Sequence, residues 1–195
     1  MTDKYVFKDC SLTLLEKRIG VQEVMNKPVL LDWLSRDAEV SDYDHQKLIQ
    51  LQQKLRINFR HWNETELAYG FIAPLMDLVD FSGNDINFFA ERTLAGQVGP
   101  LELSGKPDGL IASGLREPER PYFCLHEYKR EEDAEGDPAG QVLAAMLVAQ
   151  ELNKQELPIY GCYVKGNIWY LLVLEGLEYS ISDSYSATGN DIFDL

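Results

Sequence analysis

Glu127 and Lys129 stand two apart in the run Tyr-Phe-Cys-Leu-His-Glu-Tyr-Lys-Arg over residues 122–130. Alternation along a strand puts Phe123, Leu125, Glu127 and Lys129 on one face, apolar at its start and doubly charged at its end. A carboxylate and an ammonium side by side can hold a divalent cation and orient a water. The same pair also suits an exposed ion pair at a strand end. Asp108 lies nineteen positions before Glu127, in Gly105-Lys106-Pro107-Asp108-Gly109, just ahead of the apolar Leu110-Ile111-Ala112. Pro-Asp-Gly is ordinary turn chemistry. It can equally set a carboxylate at a strand edge, one hairpin away from Glu127. Two carboxylates from adjacent strands make a hard oxygen site suited to Mg²⁺.

Two more polar residues break an apolar pattern. On a helical wheel Glu64 falls among Leu67, Ala68, Phe71, Leu75 and Leu78. A carboxylate there costs energy unless it is paired or binds a metal, although a first-turn acid is also favoured by the helix dipole. Gln141 shares a stripe with Ala145, Val148 and Leu152. That position reads either as part of a site or as a still-exposed first turn.

The elements that must position these residues follow from periodicity and punctuation. Residues 1–61 look helical and form an N-terminal extension, with Leu12, Leu15 and Ile19 at helical spacing and Leu48, Leu51 and Leu55 on one stripe. Residues 62–195 form the main domain. A helix is expected from Asn63, its N-cap, towards Asp80, with Pro74 kinking or breaking it. Extended segments follow at roughly 86–93, 101–113 and 121–130. Asp137 and Pro138 make a well-matched helix start, and the body from Gln141 to Leu152 is apolar on nearly every side, so it belongs between layers. Strands are expected at Ile159–Lys165 and Ile168–Glu175 around a Gly166-Asn167 turn. The apolar ending reads as the start of a final helix. The fold class is therefore α/β, a mixed sheet flanked by helices.

Composition narrows the function classes. The chain of 195 residues is 45% hydrophobic, enough for a real core, and carries net charge −14. A field of that sign repels phosphate and anionic membranes and favours a basic protein partner. Nucleic acid needs local basic charge, from Lys106, Lys129 and Arg130 together with the helix bearing Arg56 and Arg60. The acidic loop 131–137 works against it. Three cysteines with no CxxC pair and three scattered histidines disfavour a disulfide framework or a zinc site. No signal-peptide pattern and no long apolar run appears, so a cytoplasmic protein without a membrane partner is expected. Oligomeric state, a dimer included, is left open.

Taken in order, Pro107-Asp108, Glu127-Tyr128-Lys129 and Gln141 on the next helix resemble the PD-(D/E)XK nuclease superfamily. Asn63-Glu64-Thr65-Glu66 followed by Phe71-Ile72-Ala73-Pro74-Leu75 is similar to the leading helix of the type I restriction enzyme R-subunit nuclease branch. The resemblance covers residues about 60–175. It implies a restriction-endonuclease-like core in α-β-β-β-α-β order and hydrolysis of DNA or RNA phosphodiesters. It also implies Mg²⁺ or Mn²⁺ held by Asp108, Glu127 and the Tyr128 carbonyl, with Glu64 acting through water. Lys129 would orient the attacking water or stabilise phosphate charge, and Gln141 would position the site.

Overall fold

The computed structural model describes residues 3–36, 40–79, 85–131 and 136–194. In chain order the strands are β1 (Asp3–Val6), β2 (Gln22–Glu23), β3 (Asn87–Ala90), β4 (Leu94–Val98), β5 (Leu101–Gly105), β6 (Gly109–Ser113), β7 (Glu119–Lys129), β8 (Ile159–Lys165), β9 (Ile168–Glu175), β10 (Glu178–Ile181) and β11 (Tyr185–Ser186). The helices are α1 (Leu12–Ile19), α2 (Pro28–Leu34), α3 (Asp42–Asn58), α4 (Glu64–Leu67), α5 (Ala73–Met76) and α6 (Pro138–Leu152). No helix among the described residues is long and apolar enough to cross a membrane.

The strands form a large mixed sheet in the order β2-β10-β9-β8-β7-β6-β3, with β11 against β9, and a small sheet β1-β5-β4. β7 runs antiparallel to β6 and parallel to β8. Helix α6 fills the space between the sheets, buried from Ala139 to Gln150. It packs on β7 and β8 from one side and on β4 and β5 from the other, which is why its sequence is apolar all round. Close approach fixes two glycines here. A Cβ on Gly161 would lie 2.6 Å from the Met146 sulfur, and one on Gly96 would lie 3.0 Å from Val148. On the opposite face of the large sheet, Leu48 and Leu55 of α3 join Leu67, Phe71 and Ile72. They cover Tyr128, Cys162, Val164 and Trp169 in a second core.

Residues 3–58 are not helical throughout. β1 pairs in parallel with β5, and β2 with β10, while Phe7, Leu15 and Val21 lie in the core around α6. Asp137 ties the two regions. It caps α6 by accepting from Gly140 N–H at 3.0 Å, and it accepts from Leu12 N–H at 2.8 Å.

Among the described residues five strands lie between α5 and α6, where three extended segments are expected from sequence. The stretch 101–113 splits into β5 and β6, because Pro107 has no amide to give a ladder, and β4 is an additional strand. The helix from Asn63 is present, with Asn63 and Glu66 forming a capping box. It does not run straight to Asp80, a residue outside those described. Residues Ala68–Ile72 form a π turn, in which the Ala73 N–H reaches back to the Ala68 carbonyl. The wider turn admits Pro74 without breaking the element. The ending is a single 3₁₀ turn, Asn190–Phe193, preceded by the unexpected strand β10.

Candidate functional site

The β6–β7 register pairs Gly109 with His126. One step on, Asp108 stands opposite Glu127, where side chains of paired strands have Cβ atoms about 5 Å apart. Pro107 would face Tyr128, and since the strand has ended, the Tyr128 N–H is left to be satisfied. Asp108 does so, its Oδ2 accepting that amide at 2.6 Å. Gly109 holds this corner tight. A Cβ there would lie 2.6 Å from the Phe88 ring and 3.2 Å from the Tyr128 hydroxyl. The turn chemistry and the strand-edge placement of Asp108 are thus both realised.

Glu127 is buried, and its Oε1 lies 2.8 Å from Lys129 Nζ. Lys129 Nζ is also 3.4 Å from Glu64 Oε1. The Lys129 main chain is held in turn, its carbonyl accepting from Gly166 N–H of the β8–β9 turn at 2.8 Å. Asp108, Glu127, Lys129 and Glu64 therefore meet at one end of the large sheet. Glu64 does not sit within the apolar face. Its side chain is 44% exposed, because the π turn resets the helical phase between Leu67 and Leu75 and leaves Glu64 at the face's edge. Gln141 is buried in the first turn of α6, its Nε2 close against Gly136. Among the described residues no hydrogen bond joins its amide to Asp108, Glu127 or Lys129. Residues 132–135 of the acidic loop lie outside the described residues.

The electrostatics of the cluster are those of a site short of positive charge. Burial raises the proton affinity of Asp108, and the amide of Tyr128 and the charge of Lys129 only partly offset it. Burial and the facing Asp108 push Glu127 up to about 7, against the pull of Lys129. Burial pulls Lys129 down, but its hydrogen bond to Glu127 and the three carboxylates around it hold it above its ordinary range. Three carboxylates against one ammonium leave a deficit that a divalent cation would fill. Among the described residues, no three His, Cys, Asp or Glu side chains are gathered in the way needed to ligate one ion. An ion here would take two carboxylates plus main-chain oxygen and water, a donor set that fits Mg²⁺.

On the other face of β7, His126 Nδ1 lies 2.9 Å from the Tyr128 hydroxyl. Burial drives His126 down to about 4, so it is neutral at physiological pH. The pair was not legible as a unit in the sequence, although two polar residues on one strand face are a signal in hindsight. A second feature also escaped it. A cavity of about 110 Å³ beside the cluster is lined by Arg60, His61, Trp62, Asn63, Arg130 and Glu131.

No family model matches the chain, and no curated protein matches it. Among solved structures it is similar to a chain in the cryo-EM structure of a DrdV–DNA complex, at 16% identity and a TM-score of 0.44. The match covers 74% of this chain and 12% of that one.

Proposed function

We propose that the chain is a metal-dependent nuclease that hydrolyses DNA or RNA phosphodiester bonds. The observation that carries this reading is the placement of Asp108 opposite Glu127, with the Lys129 ammonium 2.8 Å from the Glu127 carboxylate. Asp108, Glu127 and the Tyr128 carbonyl would hold Mg²⁺ or Mn²⁺, with Glu64 reached through water. When bound, the ion supplies a water of lowered pKa and neutralises phosphoryl charge. Lys129 adds a fixed positive charge where the attacking water or a phosphate oxygen would sit. Gln141, buried in the first turn of α6, is assigned a positioning part. The element order also supports the reading. In the large sheet the run is α4–α5, β3, β6, β7, α6, β8, which is α-β-β-β-α-β once β4 and β5 are set apart in the small sheet.

The test is cleavage of labelled DNA and RNA by the full chain in Mg²⁺ and in Mn²⁺, with Asp108→Asn and Lys129→Met as matched variants. Divalent-dependent cutting that both variants lose supports the proposal. No cutting of any substrate in either metal overturns it. A second reading is favoured by one observation: Lys129 is already engaged by Glu127 and Glu64 in a chain of net charge −14. On that reading the cluster is a closed ion-pair group, and the protein is a catalytically silent binding module for a basic protein partner.

A further inference from the structure

The strongest objection to a nucleic-acid substrate is charge, since the chain carries 32 acidic and 18 basic residues. The positive charge is not spread evenly. Arg60 and Arg130, with His61, Trp62, Asn63 and Glu131, line the cavity of about 110 Å³. Lys54 Nζ lies 5.7 Å from the centre of the Trp62 ring, bringing a further cation to the same wall. The wall is built rather than incidental. Trp62 is wedged against Gly70, where a Cβ would lie 2.6 Å from the ring. The end of α3 that leads to Arg60 is tied to the 187–189 turn, with Gln52 and Arg56 donating to the Gly189 and Thr188 carbonyls at 2.5 and 2.8 Å. Glu131 is held against the β8–β9 turn, its Cβ 2.8 Å from where a Cβ on Gly166 would stand.

This cavity adjoins the cluster on both sides. Asn63 precedes Glu64 and Arg130 follows Lys129 in the chain, and Glu64 and Lys129 form an ion pair. Its size decides what it can take. Room for one water needs roughly 10–15 Å³ on this measure, so the cavity admits a few heavy atoms and no complete nucleotide. The guanidiniums of Arg60 and Arg130 favour an anion, and the planar fork of arginine matches phosphate oxygens. An indole ring at the rim adds a surface on which a base can stack.

The geometry points to a subsite for the phosphate next to the scissile one. Arg60 and Arg130 bind its oxygens, His61 and Asn63 assist, and Trp62 stacks on the neighbouring base of a single strand. This deepens the nuclease reading and rests on it. It makes the substrate a single-stranded or locally opened nucleic acid that enters along the end of α3. It also assigns part of the N-terminal helices to substrate binding.

The experiment measures fluorescence anisotropy of a short fluorescein-labelled single-stranded DNA with the full chain in EDTA, where nothing is cut, across a salt series. Arg60→Ala and Arg130→Ala should each weaken binding about ten-fold, since each removes hydrogen bonds to a charged group. Each should also flatten the dependence of log K on log salt by about 0.7. Arg36→Ala, a surface arginine paired with Asp32 beyond the far end of β8, should change neither. Trp62→Phe should retain most of the affinity and Trp62→Leu should lose it. Melting curves confirm that each variant is folded. Binding unchanged in both arginine variants, or no binding by the parent chain, overturns the subsite. Cleavage is scored separately in Mg²⁺ and Mn²⁺. A chain that cuts with unchanged KM in the arginine variants loses the subsite and keeps the nuclease reading. A chain that binds through Arg60 and Arg130 but never cuts keeps the subsite and loses the catalytic one.

Discussion

Asp108 and Glu127 face each other across the end of the β6–β7 pair, and the amide of Tyr128 donates to Asp108 at 2.6 Å. One carboxylate thus has two tasks. It closes the ladder where Pro107 ends the strand, and it presents negative charge to Glu127.

The two tasks separate by substitution. Asp108→Asn keeps an oxygen that can accept the Tyr128 N–H, so its stability should stay close to the parent's. Asp108→Ala leaves that amide unsatisfied in a half-buried corner and should cost roughly 1–3 kcal/mol. Both should lose divalent-dependent cleavage by at least about a hundred-fold, because each removes a ligand charge. Urea denaturation beside a cleavage assay checks both. An Asn variant as unstable as the Ala variant would show that the amide contact is not what Asp108 contributes.

Lys129 is the sole cation bonded to this group of carboxylates among the described residues. Lys129→Met should lower stability by roughly 1–3 kcal/mol, discounted from the cost of breaking a fully buried pair because Glu64 is open to solvent. The same variant should bind Mg²⁺ more tightly, since the ion then has no competitor for the carboxylates. Thermal melts with and without Mg²⁺ read both effects. A melting temperature that ignores Mg²⁺ in parent and variant alike would remove the case for a metal.

Two buried groups on β7 should give opposite pH dependences. Glu127 is raised from its ordinary 4.5 to about 7, so between those values the folded state holds a proton that the unfolded chain releases, and stability falls as pH rises. His126 is lowered from 6.5 to about 4, so between those values the unfolded chain holds the proton, and stability rises with pH. The two slopes oppose each other in the metal-free parent, where Asp108, also raised by burial, adds to that of Glu127. Glu127→Gln should uncover the histidine, with stability declining as pH falls from 6.5 to 4. It should gain on the order of 2 kcal/mol near pH 8, where the buried charge is most costly. His126→Gln, which still offers the Tyr128 hydroxyl a partner, should uncover the opposite slope. Denaturation midpoints from pH 4 to 8 in EDTA decide the matter, and parallel curves for all three proteins would contradict it.

Gly109 is where packing constrains the site. A methyl there meets the Phe88 ring at 2.6 Å, and Phe88 or the Asp108 corner has to move. Gly109→Ala should destabilise by roughly 1–3 kcal/mol, the usual cost of overpacking, and should reduce kcat more than KM. Recovery of both in Gly109→Ala with Phe88→Leu, which vacates the space, is the expected rescue.

Residues whose neighbours are close along the chain were readable in advance. The cap at Asp137, the turn at Gly166-Asn167 and the alternation from Phe123 to Lys129 are local signals, and each is found where the sequence places it. What escaped depends on distant partners. β1 and β2 are short, and they are strands because β5 and β10 lie beside them. Glu64 lies at the edge of the apolar face rather than within it, since a wheel of constant period has no room for the π turn at Ala68–Ile72. Arg60 and Arg130, seventy positions apart, share a cavity that no pattern in either segment announces.

The bond from Leu12 to Asp137 spans 125 positions, and the parallel pairing of β2 with β10 spans more. A ribosome making this protein releases β1, α1 and β2 long before the strands that complete them. β1 must wait for β5 at Leu101–Gly105, Leu12 for Asp137, and β2 for β10 at Glu178–Ile181. Co-translational assembly gains little from the N-terminal start, and a fragment trimmed to begin near residue 60 would leave α6 with a bare flank. Expression work aimed at a minimal folded core should therefore keep β1, α1 and β2, residues 3–23.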